Sequence, residues 1–266
     1  MNKFAICPIF IPANKLNYVE KAIKSGADGI IFDLEDSILL ADKAKARENL
    51  FKYLSSNNPD VITYIRVNDI NSEIGISDIE MLRELNFAFI VPKFENEENF
   101  TKIPEGIKII PLIETPLAIN NLNKIAKNKK VIGLSFGAAD FSSMIRSEMN
   151  WDAMLYARSK IIIECSINNL ISIDSPFMDI SNMNAFENEV KKSKAIGMQS
   201  KAAINPSQIN IIKEYFLPSE EEILEAKEII NLYKKSDNGV FSYKGKVVDK
   251  PIIKIMENKL IISENN

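Results

Sequence analysis

Residues Gly29–Asp36 have the sequence GIIFDLED, which is the strand portion of a strand–helix unit that is typical of this chain. The stretch begins with the glycine and apolar residues of a short buried β-strand and ends in three acidic residues. A segment of helical periodicity, Lys43–Leu54, follows it after a short loop. A buried strand followed by a helix is the unit of a parallel sheet, so the number of such units indicates the architecture.

The strand–helix unit occurs eight times, which is the number in a (β/α)₈ (TIM) barrel. An open doubly wound sheet is the alternative, but no Gly-x-Gly-x-x-Gly follows the first strand. The predicted strands are Phe4–Phe10, Gly29–Asp33, Ile62–Val67, Phe87–Pro92, Ile107–Ile113, Val131–Phe136, Leu170–Ile173 and Lys201–Ile204. The predicted helices are Lys15–Ser25, Lys43–Leu54, Ser77–Leu85, Glu95–Thr101, Pro116–Ala126, Asp152–Cys165, Asn184–Ile196 and Pro206–Tyr215.

The chain continues beyond the eighth unit. We therefore predict an α/β protein with a (β/α)₈ barrel over residues 1–217 and a C-terminal arm or lid over residues 218–266. The arm is predicted to contain a charged helix, a turn, a hairpin and a last helix, followed by a disordered tail. These segments are Ser219–Lys235, Asp237–Gly239, Val240–Val248, Pro251–Ile262 and Ser263–Asn266.

The composition excludes several classes of protein. The 266 residues are 46% hydrophobic and 26% charged, which is ordinary for a globular protein. A formal net charge of −3 provides no basic surface for nucleic acid or an anionic membrane, so we expect neither as a partner. The apolar runs are far shorter than the roughly 20 residues of a membrane-spanning helix. With only Cys7 and Cys165, we expect a cytoplasmic protein with two core thiols.

The chain contains no histidine. This excludes Ser-His-Asp and Cys-His catalysis and every zinc or iron site that needs an imidazole ligand. An enzyme of this composition must use carboxylates, lysine, arginine, backbone amides and an oxygen-ligated metal.

Charged residues follow five consecutive predicted strands, from the second to the sixth. In a barrel the carboxyl ends of the strands meet at one mouth, so these side chains should converge on one pocket. Taken singly, each acid could instead cap a helix or lie on the surface. The charged residues are Asp33, Glu35, Asp36, Arg66, Lys93, Glu114 and Asp140.

Glu114 and Asp140 lie on neighbouring strand ends and suit a hard cation such as Mg²⁺, with waters and substrate oxygens as the other ligands. Arg66 follows apolar and aromatic positions, so it should be partly buried and need an anionic partner. Gly137 would allow backbone amides to approach an oxyanion closely. The sequence therefore predicts a metal-assisted, anion-binding site. The candidate substrate-binding residues are Asp33, Arg66, Lys93, Phe136, Gly137 and Ala138.

These residues lie in segments that resemble the citrate lyase β-subunit-like and malyl-CoA-lyase-like proteins of the HpcH/HpaI aldolase superfamily. The resemblance extends over nearly the full chain and keeps the family order. Relatives commonly have Arg-Ser where this chain has Ile6-Cys7, and His where it has Asn205. The matching segments are Ile9–Asn14, Gly26–Ser37, Lys43–Arg47, Arg66–Asn68, Val91–Lys93, Leu112–Thr115, Phe136–Asp140, Ala203–Gln208 and Gly245–Pro251.

The resemblance implies that Glu114 and Asp140 bind Mg²⁺, with Glu35 and Asp36 just outside the metal ligands. It implies that Arg66 holds the carboxylate or keto oxygen of a 2-oxoacid. It also implies that Asp249 reaches the pocket of a neighbouring subunit as an acid/base, in a homotrimer or hexamer. Without that role, Asp249 would simply mark the N-terminus of a helix.

The expected reaction is retro-Claisen cleavage of a citryl- or malyl-type 3-hydroxyacyl thioester, or its reverse. The products would be a 2-oxoacid and an acyl thioester, carried on CoA or on an acyl carrier protein. Two alternatives remain open. Lys93 could form a Schiff base, as in metal-free aldolases. The chain could instead be a thioester- or carrier-binding subunit without turnover, which the changes at Ile6-Cys7 and Asn205 would permit.

Overall fold

The computed structural model describes residues 4–235 and 239–264. The chain divides into two compact units, Met1–Ile212 and Lys213–Asn266. The first unit contains one eight-stranded parallel sheet, whose strands lie in the order in which they occur along the chain. The strands are β1 (Pro8–Pro12), β2 (Gly29–Asp33), β3 (Ile62–Arg66), β4 (Ala88–Val91), β5 (Ile109–Ile113), β6 (Gly133–Phe136), β7 (Ile171–Asp174) and β8 (Ser200–Lys201).

The sheet closes into a barrel because the segment after β8 returns to β1. Ile9 pairs with Ala203 in a parallel bridge. The Phe10 N–H donates to the Ala203 carbonyl, and the Ala203 N–H donates to the Pro8 carbonyl, both at 2.9 Å. The predicted (β/α)₈ barrel is confirmed, and the open doubly wound sheet is excluded because an open sheet leaves its outer strands unpaired.

Eight α-helices begin within the first unit, and most follow the sequence prediction closely. The segment predicted as a helix at Glu95–Thr101 forms a 3₁₀ helix, Glu97–Lys102, and the helix Ala138–Met144 was not predicted. The helices are α1 (Val19–Lys24), α2 (Lys43–Ser56), α3 (Glu73–Leu82), α4 (Pro116–Ile125), α5 (Ala138–Met144), α6 (Trp151–Asn168), α7 (Met183–Ile196) and α8 (Ile209–Phe216).

The first strand begins later than predicted. Phe4–Cys7 is apolar and buried, as a strand would be, but regular pairing with β2 begins at Pro8. The N–H groups of Ile6 and Cys7 instead donate to the Asp28 carboxylate, each at 2.8 Å. A buried irregular segment and a buried strand have the same apolar pattern, so the pattern alone placed the boundary wrongly.

Alternating strand residues face the barrel interior and determine which side chains reach its mouth. Ile31, Tyr64 and Leu112 belong to one buried cluster inside the barrel. Asp33 and Arg66 each lie two residues beyond a member of that cluster, so their side chains point to the same interior side at the mouth. An apolar layer thus supports the polar residues above it.

The second unit contains α9 (Glu220–Lys235), the antiparallel strands β9 (Phe241–Tyr243) and β10 (Lys246–Val248), and α10 (Lys250–Glu264). Ile229, Val248 and Ile253 form its buried cluster. The helix–hairpin–helix order is as predicted, but α10 continues through Ser263 and Glu264, where disorder was predicted. The predicted turn at Asp237 and Asn238 and the last two residues of the predicted tail lie outside the described residues. No helix in the described part of the chain is long and apolar enough to cross a membrane.

Candidate active site at the mouth of the barrel

A cavity of about 380 Å³ lies at the carboxyl ends of the barrel strands. Its wall is formed by residues at or near the ends of β1, β2, β3, β5 and β6, together with residues from the segments that follow β2, β6, β7 and β8. The structure therefore brings most of the candidate residues to one pocket. Those that line it are Asp33, Asp36, Arg66, Glu114, Phe136, Gly137, Ala138 and Asp140.

Arg66, the last residue of β3, is the centre of the charged network. Its Nε and Nη2 donate to the two carboxylate oxygens of Asp33, at 2.7 and 2.9 Å. Its Nη1 lies 3.1 Å from Glu35 Oε2 and 3.3 Å from Asp36 Oδ2. The guanidinium also lies 5.0 Å from the ring centroid of Phe10. The expectation that a buried arginine here needs an anionic partner is confirmed, with three carboxylates in place of one.

Asp33 orients the guanidinium. Besides the two bonds from Arg66, its oxygens accept the N–H groups of Glu35 and Ser37, at 2.9 and 3.1 Å. Burial alone would raise the pKa of Asp33, but the hydrogen bonds and positive charge of Arg66 lower it below its ordinary value. Asp33 is therefore an ionised acceptor with four partners, and its direct contact with substrate stays a prediction.

Glu35 differs from Asp33 in its protonation. Its side chain is 12% exposed. Burial raises its pKa to about 8; Arg66 opposes that shift, while the charges of Asp36 and Glu114 add to it. A carboxyl group with a pKa near neutrality can both accept and return a proton, as a general acid/base must.

Glu114 and Asp140 face the same space, as the sequence predicted. Both line the main cavity and also a neighbouring cavity of about 290 Å³. Glu114 is buried at the end of β5, and its Oε1 accepts the Lys93 N–H at 2.7 Å. Burial raises the pKa of Glu114 to about 7; the Lys93 N–H lowers it, and the charge of Asp140 raises it. The two carboxylates therefore interact electrostatically.

Gly137 makes room for Glu114. A Cβ atom at position 137 would lie 2.6 Å from Glu114 Cβ and 2.8 Å from Glu114 Oε2, closer than side-chain atoms approach. Gly137 also precedes the first turn of α5, where the leading N–H groups have no intrahelical acceptor. A glycine at position 137 therefore has a steric reason, the space for Glu114, besides the predicted approach of backbone amides to an oxyanion.

The donor set fits Mg²⁺. In residues 4–235 and 239–264, no three His, Cys, Asp or Glu side chains lie close enough together to hold a metal ion. Mg²⁺ is commonly bound through one or two carboxylates, with waters and substrate oxygens as the remaining ligands. Glu114 and Asp140 provide that number and type of donor, without an imidazole that would favour zinc.

Lys93 lies beside the neighbouring cavity. It follows β4 with a positive φ of 50°, and its exposed side chain lines the smaller cavity together with Asp69 and Glu95. It is not among the residues that line the main cavity. Its backbone N–H, which binds Glu114, is its contact with the carboxylate pair, and its roles in substrate binding or Schiff-base formation stay predictions.

Asp249 immediately precedes α10 in the second unit. Its Oδ1 accepts the Ile252 N–H at 3.3 Å, which is the hydrogen bond of a helix N-cap. The sequence left this capping role open beside the catalytic one. A capping carboxylate retains lone pairs for other partners, so the two roles are compatible.

Several residues of the cavity wall were not predicted. Pro12 ends β1 and Phe10 lies two residues before it, but neither residue carries a charge that would mark it as part of a site. Met149 and Met178 lie in loops and have no periodicity that would mark them. Apolar residues of the cavity wall that lie in loops therefore cannot be identified from the sequence pattern and require the three-dimensional structure.

A closed eight-stranded barrel with paired carboxylates and a buried arginine at its mouth defines the class: a (β/α)₈-barrel protein with a metal-compatible, anion-binding cavity. Comparison with known proteins is more specific. The family model described as HpcH/HpaI aldolase/citrate lyase matches residues 7–206. The chain belongs to the HpcH/HpaI aldolase/citrate lyase family.

Individual relatives cover almost the whole chain. Citrate lyase subunit beta of Haemophilus influenzae is 28% identical over 269 residues, covering 92% of both chains. The mitochondrial citramalyl-CoA lyase of Homo sapiens is 25% identical over 286 residues, covering 96% of this chain and 84% of its own. Among solved structures, CitE from Mycobacterium tuberculosis with magnesium, acetoacetate and coenzyme A has a TM-score of 0.84, with 24% identity and 97% coverage of each chain. This last likeness supports the fold.

Proposed function

We propose that this protein is a Mg²⁺-dependent carbon–carbon lyase that cleaves, or forms, a 3-hydroxyacyl thioester of the citryl or malyl type. The products of cleavage are a 2-oxoacid and an acyl thioester. The observation that carries the proposal is the Glu114 and Asp140 pair, which lines the same cavity as Arg66. Membership of the aldolase/citrate lyase family supports the reaction class, and relatives named citrate lyase subunit beta and citramalyl-CoA lyase support the thioester substrate.

Glu114 and Asp140 would hold the metal. When bound, Mg²⁺ supplies Lewis-acid polarisation of the oxygen on the carbon whose bond breaks. The Lys93 N–H restrains Glu114 through Oε1, and Gly137 leaves room for the rest of the side chain. These two contacts orient the carboxylate before a ligand arrives, as efficient catalysis requires.

Arg66 binds the oxoacid portion of the substrate. Asp33 holds the guanidinium by two hydrogen bonds, whereas Asp36 lies at 3.3 Å with a side chain that is 70% exposed. An exposed ion pair contributes little, so a substrate carboxylate can displace Asp36 at small cost. The guanidinium then stabilises the negative charge that develops on the oxoacid oxygens.

Cleavage moves one proton and one electron pair. Glu35, which contacts Arg66 but is not among the residues that line the cavity, accepts the proton of the 3-hydroxyl group as the carbon–carbon bond breaks, and the bonding electrons pass to the α-carbon of the thioester as an enolate. The contact of Glu35 Oε2 with Arg66 Nη1, at 3.1 Å, supports this role because Arg66 is the proposed binder of the oxoacid. Protonation of the enolate carbon then yields the acyl thioester, and the reverse sequence describes synthesis.

The donor of that second proton is Asp249 of a neighbouring copy, in a homotrimer or hexamer. Support comes from the family resemblance and from the position of Asp249 at the start of α10, within a unit separate from the barrel. In this assembly the C-terminal arm, predicted over residues 218–266, packs on the neighbouring subunit. The acyl group is carried on CoA or on an acyl carrier protein, and the enzyme works in the cytoplasm.

The test is a substrate panel with metal control. Citryl-, malyl-, citramalyl- and methylmalyl-CoA are each incubated with the protein in Mg²⁺ or in EDTA, and release of 2-oxoacid is measured. We expect release from at least one thioester in Mg²⁺ alone, and its loss in Glu114→Gln, with exposed Glu97→Gln as the matched control. Turnover by Glu114→Gln at the parent rate, or no oxoacid from any thioester, would contradict the proposal.

A further inference from the structure

Lys43, the first residue of α2, makes three hydrogen bonds through its side chain. The Nζ donates to the carbonyl oxygens of Leu34 and Glu35, at 2.9 and 2.6 Å, and to Asn68 Oδ1. A lysine ammonium group has three protons, so each of them is used. A long side chain that is normally mobile in water is here held by three acceptors from two different loops.

The loop after β2 is thereby held from both sides. The carbonyls of Leu34 and Glu35 bind Lys43, whereas the N–H groups of Glu35 and Ser37 bind the Asp33 carboxylate. The carbonyl groups of this loop thus bind a cation, Lys43, on one side. Its N–H groups bind an anion, Asp33, on the other side. This arrangement determines where the side chains of Glu35 and Asp36 emerge, and both emerge beside Arg66.

A buried network extends this restraint to β3. Asn68, two residues beyond Arg66, donates to the Leu34 carbonyl at 3.0 Å and to Asp78 Oδ2 at 2.7 Å. Asp78 in turn accepts from Arg47 Nε at 2.6 Å. Lys43 and Arg47 are four residues apart and therefore lie on one face of α2. One helix face joins the ends of β2 and β3.

We propose that Lys43 is a positioning residue of the active site, which sets the backbone of residues 34–36 so that Glu35 and Asp36 meet Arg66. This inference rests on the proposed function for its catalytic consequence, and it assigns Lys43 no contact with substrate. Asp33 belongs to β2 itself, so its bonds to Arg66 persist without Lys43. Loss of Lys43 should therefore loosen the contacts of Arg66 Nη1 with Glu35 and Asp36. The hydrogen bonds from Arg66 Nε and Nη2 to Asp33 should remain.

The first test is amide hydrogen exchange, followed by mass spectrometry, across residues 34–38. Lys43→Met removes the ammonium, and Lys45→Met is the matched control because Lys45 is an exposed lysine of the same helix. We expect the Glu35 and Ser37 amides to exchange at least tenfold faster in Lys43→Met and at the parent rate in Lys45→Met. Lys43→Cys alkylated with 2-bromoethylamine restores an ammonium at similar length and should restore slow exchange, which separates lost positioning from poor folding.

The second test is calorimetric binding of Mg²⁺ with oxalate, an unreactive dicarboxylate probe. We expect binding of the probe to weaken at least fivefold in Lys43→Met. Adding Lys43→Met to Glu35→Ala should not weaken it further, because both changes remove the same contact between Glu35 and Arg66. Parent-like exchange in Lys43→Met, or a full additional loss in the double variant, would overturn the inference. A parent protein that neither binds the probe nor cleaves a thioester would refute the proposed function, while the exchange comparison would still test the positioning by Lys43.

Discussion

Arg66 has more carboxylate partners than its single charge can neutralise, and they are not equivalent. Asp33 makes a two-bond pair with it, Glu35 has a raised pKa, and Asp36 is largely exposed. A planar guanidinium can serve Asp33 on one side and a substrate on another, which a point-charge ammonium cannot do. We therefore expect the geometry of this residue, more than its net charge, to determine its role in the proposed reaction.

Arg66→Lys tests that geometry. We expect kcat/KM for oxoacid release to fall by about 100-fold, which is the order of loss when one preorganised donor is removed from a developing oxyanion. Arg83→Lys, on the exposed 3₁₀ helix Arg83–Leu85, is the control and should retain the parent value. A fall of less than threefold in Arg66→Lys would show that charge alone suffices.

Gly137→Ala tests the steric link to the metal site. The new methyl group would overlap Glu114, so we expect the affinity for Mg²⁺, measured by calorimetry, to fall by at least tenfold. Gly106→Ala is the control: its φ of 84° strains the backbone, but the added Cβ meets no atom within 4 Å. Equal Mg²⁺ affinities in the two variants would contradict the steric argument.

The raised pKa values of Glu35 and Glu114 predict an unusual dependence of stability on pH. Their folded-state pKa values, about 8 and about 7, exceed the ordinary 4.5, so the folded state binds these protons more tightly than the unfolded state does. The contribution of these two protonated carboxyl groups to the free energy of unfolding is complete below pH 4.5. It is lost as pH rises through their folded-state pKa values.

For the metal-free protein, we therefore expect this contribution to lower Tm as pH rises from about 5 to about 8. Added Mg²⁺ favours the ionised carboxylates and should raise Tm more at pH 8 than at pH 6. Scanning fluorimetry over this range checks both effects, and the Glu35→Gln/Glu114→Gln double variant should show a flatter profile. The same dependence of Tm on pH in the parent and the double variant would contradict the raised pKa values of Glu35 and Glu114.

Strands β7 and β8 are joined to helices α6 and α7 by a buried ionic network, whose charged residues are not among those that line the main cavity. Asp174 accepts from Arg158 Nε at 2.8 Å and from Lys201 Nζ at 2.9 Å, and Lys201 also lies 2.8 Å from Glu189. Burial alone would raise the pKa of Asp174, but the two cations hold it far below its ordinary value. Removing this anion leaves two buried cations short of a partner.

Asp174→Asn should therefore destabilise the protein by about 3–5 kcal/mol, the range for breaking a buried ion pair. Urea unfolding followed by circular dichroism provides the measurement. Glu97→Gln, in an exposed pair with Lys124, should change the free energy of unfolding by less than about 1 kcal/mol. Comparable losses in both variants would mean that burial does not control the strength of these pairs.

Helix α5 shows where pattern recognition fails. Residues 136–140, FGAAD, begin with the last residue of a strand and contain a glycine, so the sequence predicts only a strand end here. A helix of seven residues is too short to display a clear 3.6-residue period. Asp140 was nevertheless assigned to the metal, because its chemistry and its place after β6 did not depend on the local helix.

The proposed sharing of active sites between subunits has a direct test. Glu114→Gln and Asp249→Asn proteins should each be inactive alone, yet equimolar hetero-oligomers should recover about a quarter of parent activity, since one pocket in four combines both intact residues. Co-refolding or co-expression followed by thioester cleavage assays provides the measurement. Glu114→Gln mixed with Asp140→Asn should recover nothing, because both changes lie in the same barrel. If the mixture of Glu114→Gln and Asp249→Asn proteins stays inactive, either Glu114 and Asp249 act within one subunit or Asp249 has no catalytic role.

Much of this protein follows from local chemistry along the chain. Eight alternations of apolar strand and amphipathic helix predict the barrel, because each unit must bury its apolar face against its neighbours. The charged residues at the strand ends predict the position of the site, since parallel strands present their carboxyl ends at one mouth. The absence of histidine and the acids Glu114 and Asp140 predict an oxygen-ligated metal.

Three-dimensional packing was needed for the remainder, because its contacts join residues that are remote along the chain. Closure of the barrel depends on the bridge from Ile9 in β1 to Ala203 in the segment after β8, and the charge state of Glu35 depends on burial beside Arg66 and Glu114. The three bonds of Lys43 belong to the same category. Periodicity and residue type report what a segment can bury, but partner and protonation state depend on the distance and desolvation that folding creates.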